Sequence, residues 1–155
     1  LKKILMTKKY EKSSWGIIYK KKGNKIEILL LEWLNSRWTK EYVIPKWHME
    51  WNETASQTAL RETSEETWLP IEKLEIIKFI TKLNYTFTAW YLENSPVIDK
   101  DVYLFLVKYN WDQDPIVEKE ERFVWYKWVP LDDLKNYEIK FNLVWIVNKN
   151  KTYFI

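Results

Sequence analysis

The stretch between Pro45 and Pro70 carries a helical pattern inside a chain otherwise made of short apolar runs, and this dictates what the rest can fold into. From Thr54 to Thr67, Ala55, Ala59 and Leu60 form a small apolar stripe at helical spacing, with Glu53 and Thr54 near the start and Pro70 closing the segment. Ahead of it, residues 14–19 and 26–32 read as strands joined by the lysine-rich hairpin "KKKGN", and "EYVIP" as a short strand stopped by Pro45. Behind it, "LEIIKFITKLNYTFTAWYL" reads as one long or bent strand and "KDVYLFLVKYN" as another. "NWDQDP" then turns the chain into the acidic loop "VEKEERF" and the strand "VWYKWVP". "LDDLKNY" opens a helix expected to continue, with a break, through 140–149. The order βββαβββα, without repeat or linker, predicts one domain over residues 1–155, an α+β or α/β sandwich.

The helix carries the chemistry. Glu62, Glu65 and Glu66 fall at i, i+3 and i+4, so their carboxylates share one face and can reach one point. Like charges packed this way repel unless a cation neutralises them, and a dense all-oxygen set suits a hard ion such as Mg²⁺ or Mn²⁺. Arg61 can pair with Glu65 one turn on. A solvated acidic face would explain an isolated triplet equally well.

The surrounding spacing decides between these readings. Counting from Trp47, Glu53 lies six residues on; Arg61 and Glu62 follow after seven intervening residues, then Glu65 and Glu66, then Trp68 and Leu69. This resembles the signature of the Nudix hydrolases, in which Gly, Glu, Arg-Glu, Glu-Glu and a second Gly recur at these intervals. Every charged position matches, and the preceding "PK" and the "HME" inside the box are similar to the family as well. Thr63 stands where an apolar residue is preferred, and both glycine positions, 47 and 68, are Trp. The likeness extends from "SSWGIIY" to "YKWVPLDDL".

The resemblance implies a Nudix-type α/β/α sandwich with a mixed sheet, whose loop–helix–loop binds divalent cations, Mg²⁺ or Mn²⁺. It would hydrolyse a pyrophosphate bond in a nucleoside diphosphate linked to another moiety. Carried over by position, Glu62, Glu65 and Glu66 are the metal ligands, joined by a backbone carbonyl at Lys46 or position 47. Glu62, Glu65 and Arg61 are the catalytic candidates, with Glu62 doubling as general base. Glu53 and Arg61 would brace the helix. Glu120 or Glu121 could supply a further ligand or base, although a solvated loop explains them equally. His48, the one histidine, reads as structural or exposed. Tyr85, sixteen residues beyond Leu69, resembles the substrate tyrosine of dinucleoside polyphosphate hydrolases, which makes such a nucleotide the expected substrate. Nucleoside-triphosphate sanitation is the alternative, as is a catalytically impaired nucleotide-binding domain.

One compositional number is abnormal. Average usage of about 7% predicts roughly 11 glycines in a chain of this length. This chain has 2 glycines and 11 tryptophans. The Trp residues favour turns: Trp38, Trp51, Trp111 in "NWD", Trp125, and Trp15 beside Gly16, besides the two signature positions. Trp128, in "KWVPL", instead matches a tryptophan common in the family. The expectation is that many are glycines encoded by UGA in an organism that reads it as glycine. Literal tryptophans would crowd the loop at 47 and impair activity. A Trp-rich nucleic-acid or glycan binder would instead line one exposed face with indoles.

The net charge of +3 suits an anionic small molecule and falls short of the basic stripe of a stable nucleic-acid partner. The chain has no cysteine, in keeping with a reducing cytoplasm, and the opening "LKKILMTKK" lacks an apolar run long enough for a signal peptide or membrane span.

Overall fold

The computed structural model describes residues 7–50, 52–117 and 123–155, except for the side chains at 46, 47 and 123. Seven strands build one mixed sheet: β1 (Lys8–Lys22), β2 (Lys25–Leu34), β3 (Lys40–Val43), β4 (Lys46–His48), β5 (Leu74–Thr88), β6 (Val97–Tyr109) and β7 (Phe123–Pro130). The main path runs β3-β2-β1-β6-β5, with β4 on β1 and β7 on β2. β1 and β2 form a hairpin closed by Gly23, whose φ of +63° is a left-handed turn conformation. β1 runs parallel to β6, the one parallel pair among the described strands, and β5 returns antiparallel along β6 with two register shifts that bend it.

Two helices cover the two faces: α1 (Ala55–Thr67) and α2 (Leu143–Lys149). Alternation along β1 explains both layers. Trp15, Ile17 and Tyr19 point to one side and pack with Leu104 and Leu106 of β6 against Leu143, Ile146 and Val147 of α2. Ile18 points to the other side, with Leu29, Phe105 and Val107, against Ala59 of α1 and the following Leu69. The result is the expected α/β/α sandwich.

Several boundaries differ from the sequence expectation. β1 begins at Lys8, well before residue 14, because its polar first half pairs along β6 rather than burying apolar side chains. β4 is an additional strand, too short to show a periodic pattern. β5 ends at Thr88, so "AWYL" lies beyond it. Leu131–Asn136 winds as a 3-10 helix, and α2 starts only at Leu143.

Candidate active site

α1 starts at a capping box. Thr54 accepts from the Gln57 backbone N–H, and the Gln57 side chain accepts from the Thr54 N–H. The buried face of α1 is made of Thr58, Ala59, Thr63 and Thr67. Thr63, where an apolar residue was expected, satisfies its hydroxyl by donating to the Ala59 carbonyl at 2.5 Å, so it can be fully buried. This thin face lets α1 lie close to β1: a Cβ built on Gly16 would stand 3.8 Å from the Thr63 hydroxyl. Ser14 of β1 donates to the Ala55 carbonyl at 2.8 Å, fixing the start of the helix against the sheet.

The opposite face of α1 gathers its charges around Arg61. The guanidinium donates from Nε to Glu53 at 2.5 Å and from a terminal nitrogen to the other Glu53 oxygen at 2.9 Å. The second terminal nitrogen lies 2.7 Å from Glu62 and 3.0 Å from Glu65. Thr58 also donates to Glu53, at 2.9 Å. The Arg61 hydrogen bond holds the Glu53 carboxyl below the usual carboxylate range, and the same pairing raises Arg61 further above its ordinary value. Glu53 and Arg61 therefore join the loop before α1 to its middle turns.

Among the described residues, no three carboxylates already converge closely enough to hold a metal ion. The helical spacing places Glu62, Glu65 and Glu66 on adjacent turns, and in this conformation Glu62 and Glu65 both turn to the same terminal nitrogen of Arg61. The donor chemistry still fits a hard cation, because the candidates offer carboxylate oxygens on one helical face. Lys46 stands in β4 opposite Trp15 of β1, which sets its backbone beside the sheet. Glu120, Glu121 and Trp51 lie outside the described residues.

The other face of the sheet carries a cavity of about 320 Å³, lined by Trp15, Val43, Leu83, Lys140, Phe141 and Ile146 among others. Phe141 meets Trp15 edge-on at 4.6 Å between centroids and stands 5.8 Å from Tyr85. Tyr85 thus lies on the α2 face, away from the α1 layer, and burial pushes its phenol up. Lys100 is almost wholly buried in β6, paired in register with Glu11 of β1, with 3.9 Å between the charged groups. Burial draws its ammonium below the ordinary lysine value. Glu11 is also 3.8 Å from Nδ1 of the exposed His48, inside the glutamate box. A polar line therefore leads from the cavity face, through Lys100, Glu11 and His48, to the loop before α1. Trp15, Lys100 and Phe141 were not singled out as site residues from sequence. Only the parallel pairing of β1 with β6 and the placement of α2 bring them together.

A braced glutamate helix and a half-enclosed aromatic cavity thus lie on opposite faces of one mixed sheet, in an α/β/α sandwich of the kind found among phosphoanhydride hydrolases. The chain belongs to the Nudix family: residues 9–145 match the NUDIX domain. It is a Nudix pyrophosphohydrolase. It is 37% identical over 120 residues to the pig (Sus scrofa) "Bis(5'-nucleosyl)-tetraphosphatase [asymmetrical]", covering 76% of this chain and 73% of that protein. A C. elegans Ap4A hydrolase, solved as a binary complex, superposes with a TM-score of 0.69 at 26% identity, over 92% of this chain and 96% of its own. The E. coli dihydroneopterin triphosphate pyrophosphohydrolase shares the fold, with a TM-score of 0.68 at 16% identity over 91% of this chain and 96% of its own. Nudix hydrolases generally depend on divalent metal ions. Among the described residues no helix is long and apolar enough to cross a membrane.

Proposed function

We propose that this chain hydrolyses dinucleoside polyphosphates asymmetrically, with Mg²⁺ or Mn²⁺, releasing ATP and AMP from diadenosine tetraphosphate. The identity with the pig tetraphosphatase is the observation that carries the reading. The aromatic cavity supports it, since a half-enclosed, mostly apolar site of this volume suits a nucleobase. The base would lie against Phe141 and Tyr85, with the phosphates passing Lys100 toward the loop before α1.

Glu62, Glu65 and Glu66, with the Lys46 backbone carbonyl, would hold the cation. When bound, such an ion lowers the pKa of water and neutralises charge on the phosphates. Glu62 accepts the proton of the attacking water as general base. Arg61, fixed by Glu53, sets the positions of Glu62 and Glu65 through its shared hydrogen bonds. Glu120 and Glu121 are the candidates for a further ligand or base. The substrate is a small nucleotide rather than a nucleic acid, and the cysteine-free chain suits a cytoplasmic site of action.

Single variants Glu62→Gln, Glu65→Gln and Glu66→Gln test the assignment, with product release followed across a Mg²⁺ titration. Losing a positioned base or ligand should cost roughly 10²-fold or more in kcat. Turnover at the parent rate in all three, or turnover indifferent to chelator, would sink it.

A further inference from the structure

We propose that the natural polypeptide carries glycine at positions 38 and 68, each encoded by UGA and read as glycine by the organism's own translation machinery. The first observation is backbone conformation. Trp38 and Trp68 have φ of +59° and +57°, the left-handed region in which a Cβ clashes with the backbone and bulky residues are outliers. Asn35 organises the turn around Trp38: its carbonyl accepts from the Trp38 N–H at 2.9 Å, and its side-chain oxygen accepts from the Arg37 and Thr39 N–H groups. Trp68 ends α1, donating its N–H to the Ser64 carbonyl at 2.8 Å, the left-handed helix stop that glycine fills by preference.

The second observation is what these indoles do. Trp38 is 71% exposed and Trp68 54% exposed, so neither is a core residue that would justify its conformation. They do not share a binding face either. Trp38 sits in the β2–β3 turn, Trp68 caps the helix on one layer, and the exposed Trp145 lies on α2 of the other layer. Trp128 shows what a true tryptophan looks like here: its ring stacks on Tyr109 at an interplanar angle of 8°, with the Lys20 ammonium 4.4 Å from its centroid. The third observation is number, 2 glycines against 11 tryptophans.

The test is the mass of the natural protein. Isolated from its source organism, digested and sequenced by tandem mass spectrometry, it should give peptides with glycine at 38 and 68 and tryptophan at 128. Its gene should carry UGA at 38 and 68 and UGG at 128. Tryptophan at 38 or 68, or UGG at either, overturns the proposal. The readout needs no turnover, so it is independent of the substrate assignment.

Discussion

The left-handed backbone at Trp68 permits a test in which side-chain burial cancels. Trp68→Gly and Trp68→Ala both remove the half-exposed indole, so their difference in stability reports what a Cβ costs at φ +57° less what glycine loses through its more flexible unfolded chain. That conformation disfavours an L-residue by about 1–2 kcal/mol. Glycine gives back roughly 0.5–1 kcal/mol through its more flexible unfolded chain. The net expectation is that Trp68→Gly is more stable than Trp68→Ala by about 1 kcal/mol, or about 2–4 °C in Tm for a domain of this size. Trp38, at φ +59°, should behave alike. Trp145 is the control: it is exposed within α2, where glycine should be less stable than alanine by about 1 kcal/mol. Equilibrium urea unfolding of the six variants measures all three differences. Glycine equal to or worse than alanine at 68 would refute the reasoning, and so would a Trp145 pair of the same sign as the Trp68 pair.

Three further outcomes concern the site. Phe141→Ala should raise KM for a dinucleoside tetraphosphate roughly tenfold while leaving kcat nearly constant, because base stacking is worth about 1–3 kcal/mol; an unchanged KM in steady-state assays counts against the cavity as the base site. Arg61→Lys keeps the charge but loses the fork that reaches Glu53, Glu62 and Glu65 together, so kcat should fall about 10–100-fold and half-saturation should need more Mg²⁺. An unchanged metal titration would assign Arg61 to stability alone. The lowered Lys100 ammonium loses its proton at a lower pH than an ordinary lysine, so KM should rise with pH before the usual lysine range is reached, and Lys100→Arg should flatten that rise. For stability the sign is opposite. The unfolded chain holds this proton more tightly than the folded one, so this group's contribution grows as pH rises through the folded value.

The box was legible because it is local. Thirteen residues of helix fix the relative places of Arg61, Glu62, Glu65 and Glu66, and the Arg61–Glu65 pair follows from one turn of spacing. The element order likewise pointed to a sandwich, and in the structure alternation along "WGIIY" sends Trp15 and Ile18 to opposite cores. The cavity was not legible, because Trp15, Leu83 and Phe141 meet only through strand pairing across most of the chain. Nor was the turning of Glu62 toward Arg61, since helical periodicity sets which face a carboxylate shares but not its rotamer.

The central claim is asymmetric cleavage of a dinucleoside tetraphosphate by this fold. The direct measurement offers the chain bearing glycine at 38, 47 and 68 a panel of diadenosine tetraphosphate, nucleoside triphosphates and ADP-ribose with Mg²⁺, and separates the products by ion exchange. The account predicts the highest kcat/KM for the tetraphosphate, with ATP and AMP in equal amounts. Two molecules of ADP from each tetraphosphate, or a higher kcat/KM for a nucleoside triphosphate, would contradict it.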